Sequence, residues 1–171
     1  MNWYCDIASG HPYHGPYHDK EYGFPLKDDA LLFERLCLEV FQAGLSWLII
    51  LKKRPGLNKA FLSFNPALIA NFTEEDVERL MQDGEIIRNR RKIMATIENA
   101  KRVLILQAEY GSFHAWIEKQ DCADKALWLK LFKSTFVFMG GEVVGEFLMS
   151  IGKLPGAHRD DCPIMAEIRR L

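Results

Sequence analysis

The sequence has no long apolar run. Its longest, Leu45-Ser46-Trp47-Leu48-Ile49-Ile50-Leu51, is short and contains a serine. Crossing a bilayer takes about 20 apolar residues, so no transmembrane helix and no membrane partner are expected. Charge of one sign is also missing: 22 Lys+Arg face 23 Asp+Glu, for a net of −1. Any polyanion site must therefore come from local clustering. No stretch alternates with a period of two over a useful length, and no repeat of 20–50 residues occurs; this argues against a sheet and against a solenoid. Disorder is excluded by a composition that is 49% hydrophobic and 26% charged. Met1–Asp6 carries no basic stretch followed by an apolar one, so no signal peptide is expected and a cytoplasmic protein is the default. Cysteine is sparse: Cys5, Cys37, Cys122 and Cys162. In a reducing compartment these are thiols or metal ligands rather than disulfides.

What is present is helical. Asp28 or Asp29 caps a helix over 30–43 that Gly44 stops. Ser46 caps a second, expected to halt before Pro55. Asn65-Pro66 and Thr73–Asp76 are helix starts, the latter resembling a capping box. Asn89 opens a long helix ended by Gly111, and Ser112 caps a short one. An amphipathic segment over 123–133 follows, then Gly140-Gly141 leads into 142–151. The expectation is an all-α fold of about eight helices, one domain over 1–171, in two lobes around a cleft.

Five constellations can carry chemistry. Cys5 and His18 lie near one end, and His158-x3-Cys162 near the other. Together they form a Cys2His2 set suited to tetrahedral zinc, or they are four unrelated surface and loop residues. Glu39 sits inside Leu36-Cys37-Leu38-Glu39-Val40-Phe41. It is either a buried carboxylate with a raised pKa or an ordinary helix or salt-bridge position. Trp3, Tyr4, Tyr13, Tyr17, Tyr22 and Trp47 give an aromatic density that can sandwich a base or simply be core. Phe136–Glu142 reads as a hairpin whose glycine amides can converge on an anion, provided Glu142 points away, or as a plain helix connection. Lys52-Lys53-Arg54, Arg88–Lys92, Lys101 and Arg102 form basic clusters that can track phosphates or be solvated helix faces.

Taken together, these residues resemble the DNA-3-methyladenine glycosylase I family, the zinc-binding branch of the helix-hairpin-helix DNA glycosylases. The likeness rests on Cys5, Tyr17-His18-Asp19-Lys20-Glu21-Tyr22-Gly23, Cys37-Leu38-Glu39, Gln42-Ala43-Gly44-Leu45-Ser46-Trp47, Ile86-Ile87-Arg88-Asn89-Arg90 and His158-x3-Cys162. The resemblance implies a helical bundle with its termini joined by one structural zinc on Cys5, His18, His158 and Cys162. It implies Glu39 as the catalytic, base-reading carboxylate, with Tyr17, Tyr22 and Trp47 around the base. It implies DNA held at Gly140 and Gly141, and a monomeric, monofunctional hydrolase acting on double-stranded DNA with alkylated bases, chiefly 3-methyladenine, in the bacterial cytosol and nucleoid. Ile7, His14 and Tyr22 depart from the family pattern, which alters the expected pocket. Asp160 and Asp161 stand about where related glycosylases carry an aspartate, and rank below Glu39. The competing class is a zinc-stapled helical DNA-binding or scaffold protein that has lost excision, which a pocket filled by side chains would indicate.

Overall fold

The computed structural model describes residues 3–171; Met1 and Asn2, the first residues of the N-terminal stretch discussed above, lie outside it. Among the described residues there are eleven α-helices, one 3-10 turn and no strand. The helices are α1 (Tyr4–Ala8), α2 (His14–Lys20), α3 (Asp29–Gln42), α4 (Trp47–Ala60), α5 (Pro66–Ile69) and α6 (Glu74–Met81). They continue with α7 (Arg90–Tyr110), α8 (Phe113–Glu118), α9 (Lys125–Thr135), α10 (Gly141–Ser150) and α11 (Pro163–Ile168). Among the described residues, no helix is long and apolar enough to cross a membrane.

The starts follow the expected chemistry. Asp28, Ser46, Asn65, Asn89, Ser112 and Asp124 each accept a hydrogen bond from a first-turn amide of the helix that follows. Thr73 and Asp76 form a reciprocal capping box. Asp29 does something the sequence does not announce. Its carboxylate accepts from the amides of Phe113 and His114 and from Gln107 Nε2, so it caps α8 from α3.

Two expectations need correction. The helix at Trp47 does not halt before Pro55; it runs through it to Ala60. Proline removes one ladder bond, a cost of about 3 kcal/mol in a helix interior. Pro55 itself is exposed, and the helix holds its line because Ile50, Leu51, Leu57 and Ala60 are buried along one side. Arg54, next to the proline, is locked by Glu21 and Glu34. There are also three more helices than the expected eight: α1, α2 and α11. Each is two turns or fewer, too short to display a 3.6-residue period.

The core is aromatic. Phe33, Phe41, Phe61, Phe64, Phe113, Phe132 and Phe147 are fully buried. Helix α3 is central: it packs against α4, α7, α8 and α10. The segment between α9 and α10 is fixed from α7, where Asn99 donates to the Val137 carbonyl (3.0 Å) and accepts from the Val137 amide (2.8 Å). Asn99 is buried, so Asn99→Ala leaves two backbone groups without partners. It should lower the unfolding free energy by about 2–4 kcal/mol, read from urea unfolding at constant slope.

Candidate active site and metal-ligand cluster

Glu39 lies three residues from the end of α3, between fully buried Leu38 and Val40. That helix end is pinned by Lys92, whose ammonium donates to the carbonyls of Phe41 (2.7 Å) and Ala43 (2.6 Å). A cation on terminal carbonyls also suits the helix dipole. The chain then reverses at Gly44, where φ is +81°, a backbone only glycine adopts without strain. Ser46 starts α4 at once, which brings Trp47 back beside Glu39.

The result is a cavity of about 270 Å³ lined by Tyr4, Tyr17, Tyr22, Glu39, Gln42, Trp47, Glu142 and Glu146. That is slightly below the roughly 300–1,000 Å³ of pockets for drug-sized ligands, and it suits one small planar ring system. The aromatic walls brace one another. Ring centroids lie 5.1 Å apart for Tyr17 and Trp47, 5.7 Å for Tyr17 and Tyr22, and 5.3 Å for Tyr4 and Tyr22. The Arg35 guanidinium sits over Tyr17, 5.2 Å from its ring centre. The Tyr17 hydroxyl is buried without a hydrogen-bond partner among the described residues, and such a group costs free energy until a ligand or water satisfies it.

The electrostatics are lopsided. No lysine or arginine lines the cavity, while three carboxylates do. Burial, reinforced by the nearby charge of Glu146, pushes the Glu39 carboxyl well above its ordinary pKa, against the smaller pull of Arg35. Glu146 is raised too, mainly by burial, and its Oε2 accepts from the Tyr22 hydroxyl at 3.2 Å. Burial likewise raises the Tyr4, Tyr17 and Tyr22 phenols, so all three stay protonated.

Tyr22 links this cavity to the second feature. Cys5, His18, His158 and Cys162 are all buried, and one donor atom from each lies within 4.8 Å of the others. His158 Nδ1 is 3.0 Å from His18 Nε2, and Cys162 Sγ is 3.7 and 3.8 Å from those two nitrogens. Cys5 Sγ is 3.8 Å from His158 Nδ1. Around one tetrahedral zinc, such donors stand about 3.3–3.8 Å apart. Protonation fits as well. His158 Nε2 faces the Tyr22 carbonyl at 2.6 Å and must donate to it, leaving a lone pair on Nδ1. His18 Nδ1 faces the Asp19 carboxylate at 2.7 Å, leaving a lone pair on Nε2. Two lone pairs and two sulfurs aimed at one point call for a cation between them. Gly23 permits the close approach: a Cβ there would come within 3.2 Å of the His158 ring.

Eight of the ten residues that the resemblance assigns to the site thus fall into two adjoining clusters, while other residues singled out in the sequence lie elsewhere. Gly140 caps α10 and Gly141 begins it, on an exposed stretch with open space beside Gly140. Glu142 does turn away from that helix start, and it turns into the cavity. Asp160 and Asp161 are exposed, paired with Arg169 and Arg159, and neither lines the cavity. Ile7 is exposed. His14 is buried 3.0 Å from the Tyr4 hydroxyl and holds that ring in place without lining the cavity itself. Sequence reasoning counted Tyr4 among the aromatics able to sandwich a base but did not place it around the base, and it missed Glu146 altogether. The basic clusters are partly engaged by the fold: Arg54 binds Glu21 and Glu34, Lys53 the Gly84 carbonyl, Arg90 binds Glu74 and Glu78, and Arg102 binds Glu98.

An all-helical fold carrying a buried carboxylate in an aromatic cavity, beside a Cys2His2 cluster that joins the chain ends, defines the class of protein. The comparisons identify the family. The methyladenine glycosylase family profile matches residues 7–128. The DNA-3-methyladenine glycosylase of Haemophilus influenzae is 38% identical over 166 residues, covering 86% of this chain and 89% of that protein. DNA-3-methyladenine glycosylase 1 of Escherichia coli is 38% identical over 167 residues, with the same coverage of 86% and 89%. A Tyr-to-Phe variant of 3-methyladenine DNA glycosylase I in complex with 3-methyladenine aligns with a TM-score of 0.83 at 33% identity, over 96% of this chain and 97% of that one. The Staphylococcus aureus 3-methyladenine DNA glycosylase I structure gives 0.82 at 33%, over 94% and 95%. The chain belongs to the methyladenine glycosylase family.

The raised Glu39 carboxyl makes a stability prediction. A group that holds its proton more tightly when folded destabilises the native state as pH rises from its unfolded pKa to its folded one. Glu39→Gln should therefore melt at a higher temperature than wild type at pH 7. The gain should vanish below about pH 4, where the carboxyl is protonated in both states. Thermal melts across pH test it.

Proposed function

We infer that this chain is a DNA repair glycosylase that hydrolyses the N-glycosidic bond of alkylated bases, chiefly 3-methyladenine, after flipping the nucleotide into the cavity at Trp47. The observation that carries this reading is the buried Glu39 carboxyl in an aromatic cavity whose lining has no basic side chain. An open cavity also weighs against the scaffold alternative, which requires a filled one.

Methylation at N3 gives the purine a formal positive charge and weakens its bond to the sugar. The base then stacks between Tyr17 and Trp47, with Tyr22 beside it, as a cation over aromatic faces. Glu39 accepts hydrogen bonds from the base's polar edge; an arriving cation favours its ionised form over the neutral acid, so the cationic base is preferred over unmodified adenine. When the bond breaks, its electron pair goes to N9 and neutralises the purine. Water adds to C1′ and gives its proton to solvent. No lysine lines the cavity, so no Schiff-base nucleophile is supplied and the DNA strand is left intact. Amides at Gly140 and Gly141, at the N-terminus of α10 in a helix-hairpin-helix arrangement, hold a phosphate of the double-stranded DNA. The chain acts as one monomeric domain over 1–171 in the bacterial cytosol.

Cys5, His18, His158 and Cys162 hold one structural zinc ion. It closes a loop spanning most of the chain and restricts the unfolded ensemble. Through His158 it also steadies the Tyr22 carbonyl. The ion takes no part in bond breaking.

Incubation of the protein with methylated DNA, followed by chromatography of released bases, should yield free 3-methyladenine; absence of release overturns the reading. Glu39→Gln should slow release roughly 10- to 100-fold, the kinetic equivalent of a charge-assisted hydrogen bond of about 1.5–3 kcal/mol, with metal content unchanged. Cys162→Ser should lower the metal content below one zinc per chain and reduce the melting temperature, read by elemental analysis and calorimetry.

A further inference from the structure

Helix α10 supplies the cavity with two carboxylates that the functional reading leaves unused. Glu142, in its first turn, stands at the exposed rim. Glu146, one turn on, is half-buried and lines the wall. The Tyr22 hydroxyl donates to Glu146 Oε2 at 3.2 Å, which fixes one oxygen and leaves Oε1 free. Helix α10 packs directly on α3, so the charge of Glu146 acts on Glu39 across the cavity. Among the described residues, none of the three carboxylates forms an ion pair. The unpartnered, fully buried Tyr17 hydroxyl in the same lining independently marks this as a place where a ligand belongs.

Like charges around a water-poor cavity repel, and each is costly without a counter-charge. Aromatic faces add to the preference for a cation. We propose that Glu146, held by Tyr22, is a second base-contacting acceptor on the far wall from Glu39, and that this pair makes the pocket prefer the cationic 3-methylated purine over its neutral form. The inference rests on the base-pocket reading above. It assigns to α10 a role in choosing the base, separate from holding DNA at its N-terminus.

The test compares two small probes by quenching of Trp47 fluorescence: 3,9-dimethyladeninium, a fixed cation, and neutral 3-methyladenine. Wild type should bind both, the cation more tightly. Glu146→Gln should weaken the cation about tenfold, the loss expected for one charge-assisted contact, while the neutral base changes less than twofold. Tyr22→Phe, which keeps the charge and removes its tether, should give a smaller loss of the same sign. If Glu146→Gln fails to fold, judged by its circular dichroism and melt, Glu146→Ser reads the same contrast in a smaller side chain. Equal effects on the two probes, or none on the cation, overturn the role of Glu146 while leaving the pocket intact. Binding of neither probe by wild type overturns the pocket reading itself, and this inference with it.

Discussion

A carboxylic acid kept out of water with no ion-pair partner in its cavity is the constraint around which this molecule is arranged. Glu39 sits in the last turn of the most buried helix, and its ionised form is unfavourable there. Nothing in the cavity lining relieves it; Glu146 and Glu142 add to the same sign of charge. The fold absorbs this locally because α3 is held from all sides by aromatic packing, and because Lys92 neutralises and ties down its last carbonyls. The balancing charge has to arrive with a ligand. Stability set aside in this way at a site is the usual signature of function in a pocket.

A second arrangement keeps the cavity walls in place. Tyr22 contributes three separate groups: its ring to the cavity, its hydroxyl to Glu146, and its carbonyl to His158. His158 belongs to the Cys2His2 cluster, so the joined chain ends and the cavity share one residue. Gly23 is what lets them come so close, since a side chain there would run into the His158 ring. Arg35 does similar work from α3, donating to the Ser150 carbonyl while covering the Tyr17 ring. These are positional constraints, set by bonds that do not touch the cavity's contents.

The opposite fate befell the basic clusters. In sequence, Lys52–Arg54 and Arg88–Lys92 read as a track for phosphates. In the folded chain Arg54 closes a buried network with Glu21 and Glu34, Lys92 ends α3, and Arg90 binds α6. A positive run is ambiguous because a long flexible side chain reaches any acceptor within several ångströms. Only the positions of those acceptors decide between solvent, nucleic acid and the protein's own carboxylates.

Capping residues and apolar spacing were enough to locate the longer helices, since both act within a few residues along the chain. The donor types in Cys5, His18, His158 and Cys162 were legible for the same reason: soft and imidazole ligands are uncommon enough to stand out. Residue chemistry flagged Glu39, set among hydrophobic neighbours, but left an ordinary helix or salt-bridge position open; only the family resemblance gave it a role. What the chain order does not carry is distance between remote parts. The continuation of α4 through Pro55 depended on packing that outweighed a lost hydrogen bond. Tyr4 and Glu146 became cavity walls only because α1 packs on α2 and α10 on α3 around the same cavity. Their signal is a meeting of elements far apart in sequence, which burial and close packing in three dimensions decide.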